Sequence, residues 1–411
     1  MRDFISSKMS TIGLSGIRKV NEKALAMERE GKTVIHFEIG RPDFDTPEYI
    51  KKAAKESLDR GEVFYTSNLG DMGLRKQIAE KLNKENHIPY TAENILVAVG
   101  LSEAVFDALM TILDPGDEIL VPDPVWMNYV NVPKVLGAVP VPYLLKEEND
   151  YQMDLDEIRS KITDRTKALV MVTPNNPTGS VLSRETLEGL AKIAVEKDIL
   201  IFADEVYERL LYHGAEHVSI ASLPGMMERT FTLNGFSKAY SMTGWRLGYI
   251  AAPVEFIKEI NKLHQNAVTC ALSFVQKAGI VALRDEKDEV REMVKEYERR
   301  RDYIVDTIRE IPGLSCADPK GAFYLFINCK AICAKSGMNS QQLAEYLLDK
   351  YGIALVAGTV FGDSGEGYMR MSFANSYENI VEGCRRLREA AEELMKSITT
   401  HDCYEVTFVK T

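Results

Sequence analysis

A single lysine, Lys238, lies in a tight connection between two apolar segments, FTLNG before it and WRLGYIAAP after it, and Arg246 follows eight positions later. Taken alone, such a lysine would be interpreted as a solvated surface amine. Its place between two strand-like segments is unusual for that role. A primary amine can bond covalently to an aldehyde, but with a pKa of about 10.4 only about one free lysine in two thousand is neutral at pH 7. A chemical role for Lys238 therefore requires a partner that holds it in reactive form.

Further polar residues directly follow other apolar runs. Leu101 and Ser102 open a helix after ILVAVG (95–100), and free N–H groups at such a helix start suit a phosphate. Asn176 lies in NNPTG after the run LVMVTP, and Asp204 follows ILIFA. Because ligands bind beyond the carboxyl ends of strands in open α/β sheets, we expect these residues to form one site.

Each of these residues also has a purely structural interpretation. Asp204 and Ser102 could cap helices, and NNPTG could be an ordinary turn. The combination argues for chemistry, because a phosphate cradle, a carboxylate, hydrogen-bonding groups and a lysine meet the demands of pyridoxal 5′-phosphate (PLP). This cofactor needs an amine for a Schiff base and an acid that keeps its ring nitrogen protonated.

The elements that must position these residues alternate between strand and helix from about residue 92. The strands predicted from apolar runs include 95–100, 167–174 and 199–207, and amphipathic helices are predicted over 102–113 and 183–198. Strands that are apolar throughout and separated by helices indicate a mostly parallel sheet covered on both faces. The charge-rich segment 285–311 is interpreted as a helix with a solvated face, because opposite charges recur at i,i+4 spacing.

Length and composition limit the function classes. A chain of 411 residues predicts one large and one smaller domain. The net charge of −11 argues against nucleic-acid and membrane partners, and neither a membrane span nor a signal peptide is evident, so a cytoplasmic protein is expected. We expect reduced thiols and no metal site, since the cysteines lack paired metal-ligand spacing. The cysteines are Cys270, Cys316, Cys329, Cys333, Cys384 and Cys403.

The residues around Lys238 carry a family resemblance. The segment GFSKAYSMTGWRLG (235–248) fits the lysine-site pattern of class I, fold-type I PLP-dependent aminotransferases, the aspartate/aromatic aminotransferase superfamily. The resemblance covers roughly residues 10–395. Five further blocks occur in the family's order: GRPDFDTP (40–47), YTSNLGDMGLR (65–75), NNPTG (175–179), ADEVY (203–207) and YMRMSFA (368–374).

The resemblance implies an α/β fold. Its large domain would be a three-layer α/β/α unit with a mostly parallel sheet, the PLP-transferase fold type I, and its smaller domain would be α+β. We expect the large cofactor-binding domain at 48–290, the small domain at 1–47 and 291–398, and a C-terminal tail at 399–411 to which we assign no role. The family also implies a homodimer with shared active sites.

The resemblance gives roles to the residues that surround the cofactor ring. Lys238 resembles the Schiff-base lysine, which also moves the proton between the substrate α-carbon and the cofactor. Asp204 resembles the acid paired with the pyridine nitrogen. Tyr207 and Asn176 resemble the pair that hydrogen-bonds the phenolic oxygen of the ring. Trp126 matches the aromatic residue stacked on the ring face.

The cofactor phosphate and the substrate are expected at opposite ends of the site. Leu101, Ser102, Ser237 and Arg246 resemble the phosphate ligands, in which the fixed guanidinium adds charge-assisted hydrogen bonds. In this interpretation Lys238 and Arg246 hold opposite ends of one cofactor.

Two residues are expected to act across a subunit interface. Tyr65 resembles the tyrosine that reaches the phosphate of a neighbouring subunit, and Thr269 is a weaker candidate for a hydroxyl at the same interface. Both expectations depend on the family's dimer.

Arg370, in YMRMSFA, resembles the residue that binds the substrate α-carboxylate, where planar bidentate recognition favours arginine over lysine. Its alternative is a surface arginine on a strand. Gly40 would add a backbone contact to the same carboxylate, and Asn176 would lie beside it. Ile17, in the segment 15–17, resembles the N-terminal residue that closes over the substrate side chain.

The sequence departs from the family pattern at three positions. Arg41 stands where an acidic or amide residue is frequent, and Gly235 replaces a hydroxyl that some subfamilies direct at the phosphate. Glu103 follows the phosphate segment where glutamine or a small residue is frequent. A carboxylate directed at phosphate would be costly, so Glu103 is expected to face away.

The resemblance predicts an aminotransferase that moves an amino group between an L-amino acid with an apolar or aromatic side chain and a 2-oxo acid such as 2-oxoglutarate. A PLP-dependent lyase or synthase on the same scaffold, for example a C–S lyase, is the alternative, because such enzymes can keep the same cofactor ligands. A cofactor-sensing transcription regulator would need a basic DNA-binding domain, for which the resemblance leaves no room.

Overall fold

The computed structural model describes residues 4–285 and 288–396; the tail 399–411 and Cys403 lie outside these ranges. None of the helices in these ranges combines the length and apolar character that crossing a membrane requires.

The helices are α1 Gly16–Arg29, α2 Glu48–Asp59, α3 Met72–Glu85, α4 Leu101–Ile112, α5 Asn128–Leu136, α6 Leu155–Lys161, α7 Arg184–Lys197, α8 Val254–Ala267, α9 Ser273–Arg284, α10 Asp288–Arg309, α11 Lys330–Ser336, α12 Ser340–Tyr351 and α13 Tyr377–Lys396. The strands are β1 Ile35–His36, β2 Ile95–Ala98, β3 Glu118–Asp123, β4 Val139–Leu144, β5 Thr166–Val172, β6 Leu200–Asp204, β7 Thr230–Gly235, β8 Gly248–Ala251, β9 Ser315–Cys316, β10 Tyr324–Asn328, β11 Ile353–Ala354, β12 Val356–Ala357 and β13 Tyr368–Ser372.

A seven-stranded sheet in the order β2-β8-β7-β6-β5-β3-β4 forms the centre of the fold. Its pairs are parallel except those that β8 makes with β2 and β7. Strands β2 and β3 are buried along their whole length, which is typical of a sheet covered on both faces. The predicted mostly parallel sheet is therefore confirmed.

The register of this sheet brings the ends of its strands to one edge. Val172, the last residue of β5, pairs with Asp204, the last residue of β6, and Asp204 in turn pairs with Leu233 of β7. Because β8 runs antiparallel, its first residue, Gly248, pairs with Gly235 at the end of β7. The turns that follow β2, β5, β6 and β7, and the turn that precedes β8, therefore meet at one edge.

Helices cover both faces of the central sheet. Side chains of α4, α5 and α8 pack with one face in a cluster that includes Leu109, Tyr129 and Ile257. On the other face, α3 and α9 contribute Leu74 and Val275 to one cluster, and α7 contributes to another. This arrangement is the expected three-layer α/β/α architecture.

A four-stranded antiparallel sheet, β12-β13-β10-β9, and the short parallel pair β1-β11 lie outside the central sheet. Helices α10, α12 and α13 pack around these strands. Together with these helices they form the expected α+β part of the fold.

The charge-rich segment is largely the helix α10, and its exposed side carries opposite charges, as in the pair Glu292 with Lys295. Two of its arginines are nevertheless buried: Arg300 is paired with Glu296 and Asp43, and Arg301 with Asp318. The interpretation as a solvated face is therefore incomplete, because both guanidinium groups anchor the helix to neighbouring loops.

Candidate active site

A cavity of about 400 Å³ lies at the edge of the central sheet where the strand ends meet. Each residue proposed for the site from the sequence lines this cavity, with the exception of Tyr65 and Thr269, which were expected to act from a second subunit. The lining thus includes Ile17, Gly40, Leu101, Ser102, Trp126, Asn176, Asp204, Tyr207, Ser237, Lys238, Arg246 and Arg370.

Lys238 projects its amine into this cavity from the turn after β7. Its Nζ donates a hydrogen bond of 2.6 Å to the carbonyl of Gly40. The same nitrogen lies 5.6 Å from the ring centroids of Tyr207 and Phe323. Burial of the amine and the nearby charge of Arg370 lower the pKa of Lys238 to about 8. Roughly one amine in ten is then neutral at pH 7, far more than for a solvated lysine.

Asp204 is the one acidic residue that lines the cavity within the described ranges. Its Oδ1 accepts a hydrogen bond from the backbone N–H of Val206 at 3.1 Å, and its Oδ2 accepts one from the Tyr129 hydroxyl at 2.8 Å. Burial raises the pKa of Asp204 to about 6 despite these bonds. A buried carboxylate with this pKa is ready to pair with a cation, such as a protonated ring nitrogen.

Arg370 is almost fully buried, with 1% of its surface exposed. Its Nη1 donates to Asn176 Oδ1 at 3.1 Å, and its Nη2 donates to the carbonyl of Glu38. Its Nε has no hydrogen-bond partner among the described residues. A buried N–H without a partner is costly, so this guanidinium is prepared to bind an anion that enters the cavity.

Aromatic side chains hold this arrangement in place. The hydroxyls of Tyr207 and Tyr324 lie 2.7 Å apart, and the Arg370 guanidinium lies 4.6 Å from the Tyr324 ring centroid. Burial raises the pKa of Tyr207 well above its ordinary value, so this tyrosine stays protonated and can donate a hydrogen bond. The Trp126 ring packs edge-on against Tyr129, with centroids 5.8 Å apart.

The start of α4, which also lines the cavity, has the features of a phosphate site. Gly100 is the N-cap of α4, has a φ of 78° and offers no side-chain cap, so the first N–H groups of the helix remain available to a ligand. A Cβ on Gly100 would lie 2.4 Å from Arg246 Nη2, so only glycine allows the guanidinium to approach the helix start. The hydroxyls of Ser102 and Ser237 make no hydrogen bond to another described residue.

These donors fit PLP. The helix start, two free hydroxyls and Arg246 suit its phosphate, Asp204 suits its ring nitrogen, and Lys238 lines the same cavity. The buried Arg370 Nε then remains for the carboxylate of a substrate.

Several expected residues lie elsewhere. Tyr65 is 86% exposed and does not line the cavity. Thr269 is also exposed, and its carbonyl accepts a hydrogen bond from Asn68 Nδ2 at 2.7 Å. Ser15 and Gly16 line a neighbouring, larger cavity of about 960 Å³, which Ile17 and Trp126 also line. Tyr65 and Thr269 therefore make no contact with the site of their own chain.

Three residues of the site were not predicted from the sequence. Tyr129, which hydrogen-bonds Asp204, lies three positions after Trp126 in the same segment, and this spacing was the available signal. Tyr324 follows Phe323 at the start of β10, in an apolar run that resembles ordinary core. Arg41 was noted as a departure, but its position on the cavity wall was not predicted.

Comparisons with known proteins agree with this chemistry. Residues 32–387 match the family described as aminotransferase class I and II. The chain is 42% identical over 392 residues to the aspartate aminotransferase of Pyrococcus abyssi, covering 95% of this chain and 98% of that protein. It is 40% identical over 392 residues to aromatic-amino-acid aminotransferase 2 of Thermococcus litoralis, with 95% and 98% covered.

A solved structure of Thermus thermophilus aspartate aminotransferase with maleate superposes with a TM-score of 0.90 at 38% identity, covering 95% of this chain and 100% of that one. Both curated relatives are named for amino-group transfer, which gives no support to the lyase alternative. The chain therefore belongs to the class I and II aminotransferases and is a PLP-dependent aminotransferase of fold type I.

Proposed function

We propose that Lys238, Asp204 and Tyr207 are the catalytic residues of this aminotransferase, and that Arg370 binds the substrate α-carboxylate. One observation carries the proposal: an amine of lowered pKa, a buried carboxylate and an arginine with an unpartnered Nε line the same cavity. When bound, PLP supplies the electron sink that makes removal of the α-proton possible.

Each residue then has a defined task. Arg370 holds the substrate carboxylate by charge-assisted hydrogen bonds and so fixes the direction of the Cα–H bond. Lys238 Nζ takes the proton from the substrate α-carbon and later returns a proton. Asp204, as an anion, keeps a proton on the ring nitrogen of the cofactor. The Tyr207 hydroxyl and Asn176 Nδ2 donate hydrogen bonds towards the phenolic oxygen.

The cavity wall supports two kinds of substrate side chain. Ile17, Trp126 and Tyr324 offer apolar and aromatic surface, in line with our expectation of an apolar or aromatic amino donor. Arg41 also lines the cavity and makes no hydrogen bond or ion pair with another described residue. We propose that Arg41 binds the second carboxylate of an acceptor such as 2-oxoglutarate.

A panel of single amino acids tests the function. Addition of phenylalanine, tyrosine, leucine, glutamate or aspartate to the holoenzyme is expected to convert bound PLP to its amine form, followed by its absorption spectrum. A subsequent excess of 2-oxoglutarate should restore the original spectrum, because the amino group leaves with the oxo acid. Release of ammonia without an oxo acid would contradict the proposal and favour a lyase.

Arg41→Gln is the matched variant for this panel. It keeps a polar side chain but removes the charge, so the KM for 2-oxoglutarate and glutamate should rise about tenfold. The KM for phenylalanine should change little. Equal effects on both substrates would contradict the role of Arg41.

We further propose that two copies of the chain form a homodimer with shared active sites. Val63, Phe64 and Tyr65 are consecutive and exposed by 56%, 81% and 86%, an apolar surface that contact with a second subunit would cover. Tyr65 would then reach the cofactor phosphate of the other subunit. Thr269, which lies beside the same segment through Asn68, would face the same interface.

Complementation between two inactive variants tests the shared site. A mixture of Lys238→Ala and Tyr65→Ala subunits, unfolded and refolded together, is expected to regain activity at a limiting cofactor concentration. One of the two sites in a mixed dimer would combine an intact Lys238 with an intact Tyr65 from the other subunit. Each variant refolded alone is the control, and no gain in the mixture would mean that both residues serve the same subunit.

We also propose the division into a large domain at 48–290 and a small domain at 1–47 and 291–398. The strands of the seven-stranded sheet all lie between Ile95 and Ala251, and the strands of the two smaller sheets lie outside this range. A cytoplasmic location is proposed as well. It is supported by the free thiols of the five described cysteines, a state that a reducing compartment maintains.

A further inference from the structure

Glu103, a departure from the family pattern, belongs to a buried ionic cluster behind the start of α4. Its Oε1 lies 2.7 Å from His264 Nδ1, and the same ring nitrogen lies 3.1 Å from Asp107 Oδ2. The side chains of Glu103, Asp107 and His264 are 14%, 1% and 0% exposed. Ionised groups with so little contact with solvent destabilise a fold unless they compensate one another.

Glu103 connects this cluster to the proposed phosphate site. It is the third residue of α4, and its Oε2 accepts a hydrogen bond from the backbone N–H of Val99, on the other side of the N-cap Gly100. The carboxylate thus fixes the chain that enters the helix without using the N–H groups of Leu101 and Ser102. These two groups remain available for a phosphate.

The charges of the cluster matter for an anionic ligand. Glu103 and Asp107 are four residues apart on one face of α4, so their carboxylates repel each other. An uncompensated carboxylate beside the helix start would also weaken phosphate binding. His264, from α8, is the cation that faces both carboxylates.

The cluster keeps this imidazole protonated. Burial alone would lower the pKa of His264, but the hydrogen bonds and charges of Asp107 and Glu103 raise it to about 9. Helix α8 also packs against the turn Ala92–Asn94, whose carboxylate, Glu93, is exposed. Among the residues that the structure describes, the two carboxylates of α4 are therefore the ionisable groups that face the ring.

We propose that His264 and Glu103 are positioning residues for the cofactor phosphate. The imidazolium of His264 holds the Glu103 carboxylate against the N–H of Val99 and offsets its charge, so that the first turn of α4 stays open to a dianion. This inference rests on the proposed phosphate site at Leu101 and Ser102. Neither residue touches the cofactor in this role.

His264→Gln tests the inference, because glutamine can keep a hydrogen bond but carries no charge. The dissociation constant of the holoenzyme for PLP is expected to rise about tenfold at pH 7, measured by the absorbance of bound cofactor on dilution. The difference between the two proteins should shrink as the pH rises through about 9, since the wild-type imidazole then loses its proton.

Two controls separate positioning from general destabilisation. Pyridoxal, which lacks the phosphate, should bind equally well to the wild type and to His264→Gln. The double variant Glu103→Gln/His264→Gln should recover most of the PLP affinity, because it also removes the Glu103 carboxylate, the charge nearest the helix start, and leaves only Asp107, one turn further along α4, without its cation. Equal weakening of PLP and pyridoxal, or no recovery in the double variant, would overturn the inference.

Arg246→Gln distinguishes failure of the inference from failure of the phosphate site. If Arg246→Gln weakens binding of PLP but not of pyridoxal while His264→Gln changes neither, the proposed phosphate site stands and the role of His264 is wrong. If Arg246→Gln leaves the affinity for PLP unchanged, the phosphate site itself is wrong, and the inference is overturned with it.

Discussion

Replacement of Lys238 by alanine is expected to slow the half-reaction with an amino acid by at least about 10³-fold, the scale of a lost general base. Lys238 carries the one primary amine that lines the cavity within the described ranges. Burial lowers the pKa of Lys238 to about 8, so a useful fraction is neutral near pH 7, and the bond to the Gly40 carbonyl holds the nitrogen in place. Without this nitrogen the described cavity wall offers no other amine that could take the α-proton.

The cofactor itself should stay bound in this variant, because Asp204, Arg246 and the start of α4 are unchanged. The measurement is a single-turnover spectrum after addition of an amino acid that the wild type converts. Lys238→Gln, which retains polarity but no basic nitrogen, should behave like the alanine variant. Lys192→Ala, on the exposed side of α7, is the matched lysine control and should keep full activity. Undiminished conversion by Lys238→Ala would refute the assignment.

Much of the site could be predicted because its residues follow buried strands directly. Asp204 ends β6, and Lys238 lies three residues after β7, so the topology alone brings them to one edge. The same reasoning places Ser102 and Asn176 beside them. The local sequence pattern was therefore enough to predict a site residue wherever that residue directly follows a strand.

The contacts that the sequence did not predict join distant segments of the chain. The pairing of Glu103 with His264 joins two residues that are more than 150 positions apart in the chain, and neither of their helices has a pattern that requires the other. The place of Tyr129 under Asp204 follows from the packing of α5 on the sheet. The burial of Arg300 within a charged helix likewise follows from Asp43, a residue of a remote loop. Charge patterns along one helix contain no information about such partners.

Replacement of Asp204 by asparagine is expected to reduce activity and to stabilise the protein without cofactor. The neutral amide cannot keep a proton on the ring nitrogen by charge, so kcat/KM should fall by about 10²- to 10³-fold. In the cofactor-free protein, however, the carboxylate is buried beside Tyr129 and forms no ion pair with a described residue, and burial raises its pKa from 3.8 to about 6. Such a shift corresponds to about 3 kcal/mol of folding free energy lost when the group ionises.

The destabilisation of the cofactor-free protein by Asp204 depends on pH. The folded state binds the Asp204 proton more tightly than the unfolded state, so this destabilisation is absent below about pH 4 and develops as the pH rises through about 6. The amide also loses one of the two hydrogen bonds that the carboxylate accepts. The variant is therefore expected to be more stable than the wild type by only about 1 to 2 kcal/mol. Urea unfolding of cofactor-free wild type and Asp204→Asn at pH 5 and pH 7.5 measures this difference in the free energy of unfolding. The difference in favour of the variant should be larger at pH 7.5.

Asp198→Asn, which is exposed at the end of α7, is the control. A variant that is less stable than the wild type at pH 7.5 would show that the carboxylate is held by its hydrogen bonds and not strained by burial. An active site that destabilises its own empty form in this way gains affinity for the cation that relieves it, and the protonated ring nitrogen of the cofactor is that cation.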